Sequence, residues 1–215
     1  MSGASHDGLF KAVLSDPEHA AAHLRAVLPA EVLARVDLSE LRAVPGSFVD
    51  EGLAQRHADL LLEARVEGAP ALLYLLLEHQ STECREMSLR LLGYVLRIWE
   101  RWRAEHGGAE GLPVVLPLVL YHGTTRWSAP RRLRDLLWAP AEAREVFGPF
   151  CPDFEYLLHD LSQVEDEAVA GTALGRLTLL LMKHARDGDL GRRLPGWAGD
   201  LREVHARSGL RGVRL

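Results

Sequence analysis

Asp59, Glu78 and Gln80 are the residues of this chain whose types and spacing suit a common chemistry. Asp59 precedes one apolar run, Leu60 to Val66, and Glu78 follows another, Ala71 to Leu77. Between them Glu67-Gly68-Ala69-Pro70 is a turn signal, so the stretch predicts a hairpin. With Val66 paired to Ala71, Asp59 would stand directly opposite Glu78. Opposed residues on one face have Cβ atoms roughly 4.5–5.5 Å apart, and two carboxylates at that distance repel unless a cation compensates. A divalent ion would supply that charge, and the period-2 alternation of a strand adds Gln80 to the same face. The plainer reading is two polar strand ends meeting water.

The elements around the hairpin must position it. Apolar residues from Leu9 to Leu14 and from Ala21 to Leu28 recur at helical spacing, and Ser15-Asp16-Pro17 divides them into two helices. A further helical turn over 31–36 and an irregular segment through Pro45-Gly46 follow. After the hairpin, Ser81 and Thr82 are N-cap types, with Glu83 and Glu86 in the first turns of a long helix. Its apolar stripe runs through Met87, Leu91, Tyr94, Val95, Ile98, Trp99 and Trp102, and Gly107-Gly108 ends it. Arg90, Tyr94, Arg97 and Arg101 fall on one side of that helix. They are either a solvated basic face or a phosphate-contacting stripe.

Leu112 to Tyr121 reads as a strand buried on both faces, and Pro113 and Pro117 make it either an edge or a strand starting after Pro117. His122 and Trp127 beyond it either line a site or simply pack. Short helices over 131–149, a strand over 154–161 and a helix over 165–186 complete the pattern, and the Gly- and Arg-rich tail is either loose or laid against the body. Strands alternating with helices around a hairpin predict an α/β fold, a mixed sheet flanked by helices. The predicted organisation is one domain over 1–190 and a tail over 191–215.

With 47% hydrophobic and 26% charged residues the chain matches an ordinary globular protein, which excludes wholesale disorder. Its apolar runs are well short of the roughly 18 residues that span a bilayer, and no secretory leader is visible, so a cytoplasmic location with no membrane partner is expected. The net charge of −5 is not that of a protein coating nucleic acid non-specifically. Cys84 and Cys151 are expected to be reduced and to have only packing roles. Phosphate loops, the G-x-S-x-G elbow, H-E-x-x-H and C-x-x-C are all missing, so oxygen ligation of a hard cation such as Mg²⁺ or Mn²⁺ is the better match.

Asp59 followed by Glu78-x-Gln80 at a strand end resembles the D…(D/E)-x-K core of the PD-(D/E)XK nucleases, with Gln in place of Lys. The string Leu77-Glu-His-Gln-Ser81 with Met87-x-x-Arg90-x-Leu92-x-Tyr94 is similar to the recombination-promoting nucleases, also labelled YhgA-like transposases. His6-Asp7-x-x-Phe10-Lys11, Leu116-Pro117-x-Val119-x-Tyr121-x-Gly123, Trp127, Asp160-Leu161 and Lys183-His184 agree in order, so the likeness covers residues 6 to 187.

That resemblance implies a restriction-endonuclease-like sheet and a metal-dependent DNA endonuclease acting in recombination, mobile-element biology or defence. Asp59, Glu78 and the backbone carbonyl of His79 would hold Mg²⁺, with Mn²⁺ or Ca²⁺ as alternatives, and Gln80 would orient the attacking water. Asp7 and Glu51 are secondary candidates, and Arg90, Arg97 and Arg101 are candidate DNA contacts. A homodimer and a regulatory partner protein are compatible with it. The alternative is a nuclease fold that binds DNA or a partner without cutting. A true transposase ranks below both, since a separate strand-transfer triad cannot be located.

Overall fold

The computed structural model describes residues 3–44, 58–78, 84–108, 110–184 and 190–210, with positions 3–7, 58–59, 74–78 and 208–210 at backbone level. Helices α1 (Gly3–Leu14) and α2 (Pro17–Val27) form where the apolar spacing predicts, and Asp16 caps α2 by accepting from the Glu18 N–H. A single turn, α3 (Ala30–Leu33), leads into β1 (Val36–Val44). This strand replaces the irregular segment expected there. Its pairing with β2 (Ala58–Val66) slips between Asp37 and Arg42, and that bulge destroys the clean alternation by which a strand is recognised.

β2 and β3 (Ala69–Glu78) form the expected hairpin in a different register. Val66 pairs with Ala69, so the connection is the two residues Glu67 and Gly68, both at positive φ, 50° and 85°. Two successive left-handed residues make the tight turn that matches the twist of the strands, and Gly68 takes that conformation without a Cβ clash. Pro70 enters the ladder opposite Arg65. Its missing N–H is tolerated because β3 gains its other neighbour only from Ala71 onward.

Helix α4 (Met87–Glu105) carries the chain back across the sheet to β4 (Val114–Tyr121), parallel to β3. It starts at Met87 with Glu86 as its N-cap residue, later than the capping signals at Ser81 and Thr82 suggest. β4 is an inner strand containing Pro117, and β5 (Leu157–Asp160) joins it in parallel only from Leu118 onward. Pro117 therefore sits where β4 still has one neighbour. α5 (Ala141–Phe147) lies in the connection before β5. α6 (Ala173–Lys183) begins at Thr172, whose side chain accepts from the Gly175 N–H, so the single helix expected from residue 165 is instead a short 3₁₀ turn followed by a capped helix. Of the C-terminal segment, expected to be either loose or against the body, residues 190–210 are described and lie against it. α7 (Leu190–Arg193) and α8 (Ala198–Leu210) bracket Trp197, which is buried in the core, and Asp200 accepts from Arg176 Nε of α6 at 2.9 Å.

The sheet order is β1-β2-β3-β4-β5, antiparallel through β3 and parallel beyond it. Alternate residues serve its two faces. Leu60, Leu62, Leu73, Leu118 and Leu120 pack under α1, α2 and α6, whereas Leu61, Leu72, Val119 and Tyr121 pack under α4 with Trp127 and Tyr156. The mixed α/β sheet flanked by helices is thus the predicted fold class, consistent with a restriction-endonuclease-like fold. Among the described residues no helix is long and apolar enough to cross a membrane.

Candidate functional site

The hairpin sets the backbone positions of Asp59 and Glu78 by its register. Asp59 of β2 is opposite Leu76, not Glu78, so the directly opposed pair expected from the sequence is corrected by two residues. An even shift preserves the face. Position 78 is one diagonal step from position 59 on the side that carries Leu61 and Leu72, under α4. Diagonal neighbours lie roughly 7–8 Å apart.

Parallel pairing extends the row. Glu78 is beside Tyr121, and Tyr121 is beside Asp160. Tyr121 is fully buried and its hydroxyl has no hydrogen-bond partner among the described residues. Its ring runs over Gly123, where an added Cβ would fall 1.9 Å from the hydroxyl oxygen. Trp127 meets the Tyr121 ring edge-on at 4.9 Å and donates from Nε1 to Tyr156 Oη at 3.0 Å. Asp160 fixes this loop, accepting from the Trp127 N–H at 2.9 Å and the Ser162 N–H at 3.0 Å. Tyr121 and Asp160 were legible only as part of the family likeness, because their role depends on sheet order. His122 and Trp127 are both buried, and Trp127 is a packed residue that orders the loop.

The other candidates are distributed unevenly. Arg90, Arg97 and Arg101 are half-buried along α4, on either side of Tyr94, which is 2% exposed and packs with Met87, Leu91 and Ile98. The stripe is therefore not a solvated face opposite the packed one. It runs along the margin where α4 meets the sheet face that holds positions 59 and 78. Arg101 Nε donates to Glu105 at 2.6 Å. Asp7 is in α1, whose Phe10 and Leu14 pack on the opposite face of the sheet. Glu51, His79 and Gln80 lie outside the described residues. No cluster of three or more His, Cys, Asp or Glu suited to a metal occurs among the described residues.

Two other polar clusters stand on the α1 side of the sheet. His23 of α2 and His159 of β5 bring their rings to 5.2 Å, with both nitrogens of His23 unpartnered among the described residues. Burial first, then the neighbouring His159, pushes His23 down to about 3, and burial brings His159 down to about 4. At the end of α6, Asp166 accepts from Lys183 Nζ at 2.7 Å and lies 2.8 Å from His184 Nε2, whose ring stacks on Trp197. Lys183-His184 belongs to the family-like motifs, and in the structure it is a clamp holding the C-terminal helices.

A family model described as "Putative transposase, YhgA-like" matches residues 4–209. Recombination-promoting nuclease RpnD of Escherichia coli O157:H7 is 32% identical over 193 residues, covering 86% of this chain and 69% of its own. RpnA of Escherichia coli strain K12, of the same name, is 31% identical over 192 residues, 88% of this chain and 63% of its own. RpnE of that strain, named an inactive recombination-promoting nuclease-like protein, is 30% identical over 186 residues, 86% of this chain and 60% of its own. The chain thus spans 60–69% of the length of these relatives, and no solved structure matches it. A match over nearly the whole chain, together with relatives at this identity, shows that it belongs to the YhgA-like putative transposase family.

Proposed function

We propose that this chain is a divalent-metal-dependent DNA endonuclease acting in recombination. The observation that supports the reading best is the register, which keeps positions 59 and 78 on one face at the end of β3, under α4. The names of RpnD and RpnA support the nuclease reading. Asp59, Glu78 and the carbonyl of His79 would hold the metal, which when bound would supply Lewis-acid stabilisation of the phosphate and a lowered pKa for water. Gln80 would orient a water whose oxygen attacks phosphorus as the P–O bond to the leaving oxygen breaks, the water giving its proton to solvent and the leaving oxygen taking one from solvent. An amide brings no positive charge, so unlike Lys it cannot stabilise hydroxide electrostatically, and turnover is slow. Arg90, Arg97 and Arg101 pair with backbone phosphates beside the cut.

The test is relaxation of supercoiled plasmid in Mg²⁺, Mn²⁺ or Ca²⁺ by the wild type, Asp59→Ala and Glu78→Ala. Loss of nicking in both variants supports the reading, and equal nicking by all three proteins overturns it. The name of RpnE and the glutamine at position 80 favour a second reading, a nuclease fold that binds DNA or a partner without cutting. Calorimetry with Mn²⁺ separates the two, because a site that takes no metal cannot run the proposed hydrolysis.

A further inference from the structure

Tyr121 ends β4 and is among the largest fully buried side chains, yet its hydroxyl has no hydrogen-bond partner among the described residues. Buried hydroxyls are hydrogen-bonded in the large majority of cases, so one left open inside a packed ring cluster marks a group built for a partner. Its direction is fixed. The oxygen lies where a Cβ on Gly123 would stand, so the ring runs along β4 and past its C-terminal end, and only a glycine at 123 leaves it that place. Trp127 holds the ring edge-on at 4.9 Å.

Sheet order decides which acceptor can take this donor. β3 runs parallel to β4 and ends at Glu78, which pairs with Tyr121 on the neighbouring strand about 4.8 Å away. On the other side Asp160 already accepts from the Trp127 and Ser162 N–H groups, one through each of its oxygens. Tyr156 Oη accepts from Trp127 Nε1 and donates to the Pro130 carbonyl. Asp59 is a strand further away, on β2. Glu78 is therefore the carboxylate left for Tyr121. We propose that Tyr121 is a positioning residue of the proposed metal site: its hydroxyl donates to the Glu78 carboxylate and fixes the orientation in which that group faces a divalent cation. The inference rests on the reading of Asp59 and Glu78 as metal ligands and deepens it. A charge-assisted O–H···O⁻ bond holds one carboxylate oxygen and leaves the other for the ion.

Mn²⁺ titration calorimetry of the full chain with Tyr121→Phe tests it, because phenylalanine keeps the ring and removes only the hydroxyl. The affinity is expected to fall roughly tenfold to a hundredfold, the usual loss when a group supporting a metal ligand is removed. The urea midpoint in EDTA is expected to stay close to that of the wild type, because the ring keeps its contact with Trp127. In a Glu78→Gln background the same change is expected to have little further effect on affinity. A Tyr121→Phe chain that binds Mn²⁺ as the wild type does would overturn the inference alone, whereas a wild type that binds none would overturn the proposed function and the inference with it. An affinity loss accompanied by a lowered midpoint would make the hydroxyl a structural group, and additive losses in the double variant would detach it from Glu78. Either result overturns the assignment.

Discussion

Asp59 and Glu78 are not cross-strand partners; they are diagonal neighbours on one face of the β2–β3 ladder, because Glu67 and Gly68 alone make the turn. Diagonal carboxylates repel less than opposed ones and leave room for an ion between them. If they share a cation, Asp59→Asn and Glu78→Gln will each lower Mn²⁺ affinity by roughly tenfold or more. Neutralising two repelling acids will not lower thermal stability in metal-free buffer. Titration calorimetry and melting in EDTA measure the two effects, and wild-type Mn²⁺ binding by both variants would end the shared-site reading.

Gly123 is required by a side chain two residues before it. A Cβ there would meet Tyr121 Oη at 1.9 Å and Cζ at 2.2 Å, within a buried ring cluster that cannot yield. Gly123→Ala is expected to cost about 2–3 kcal/mol in urea unfolding, at the upper end for overpacking. Tyr121→Leu will cost stability alone and yet soften the penalty of the alanine, so a double-mutant cycle will show coupling. Additive costs would mean that the ring moves aside.

The hairpin, the helix stripe through Met87 and Ile98 and the Asp16-Pro17 start of α2 were legible because each is set by neighbours in sequence. β1 was hidden by its bulge. The register failed because Pro70 looks like a turn residue, and its tolerance in the strand depends on where β4 begins to pair, which no local pattern contains. The face of Asp59 and Glu78 was nevertheless read correctly, since an error of two residues leaves the alternation intact. Tyr94 belongs to both the apolar stripe and the arginine row. Only packing against the sheet shows that the arginines border the buried face.

Asp166 joins Lys183 and His184 at the end of α6 to Arg193 of α7. Burial alone would raise its carboxyl, but hydrogen bonds from Lys183 and His184 and their charges together hold it below the usual carboxylate range. With Arg193 at 3.6 Å as a third partner, Asp166→Asn is expected to cost about 2–3 kcal/mol, since removing the carboxylate leaves the half-buried Lys183 ammonium uncompensated. A folded-state pKa below the unfolded one means that this stabilisation is present above the unfolded value and lost as pH falls through the folded value. Urea midpoints at pH 7 and pH 3 will therefore differ less for the variant than for the wild type. An equal acid response in both would remove Asp166 from the account.

His23 and His159 set a second acid limit, at higher pH. Both are held neutral by burial, His23 at about 3 and His159 at about 4, against 6.5 for the unfolded chain. The unfolded state therefore binds protons that the folded state refuses. Stability is intact above pH 6.5 and falls as pH drops from there towards 4, by up to roughly 1.4 kcal/mol per pH unit for each imidazole. The slope is steepest where the unfolded chain has protonated both imidazoles and the folded chain neither, below 6.5 and above about 4. His23→Phe keeps a ring of similar size in the same contact and removes one titrating group, so it is expected to flatten the stability curve between pH 6.5 and 4 while changing little at pH 8. Chemical unfolding across that range measures it, and a variant as acid-sensitive as the wild type would show that the pair is not what limits the fold.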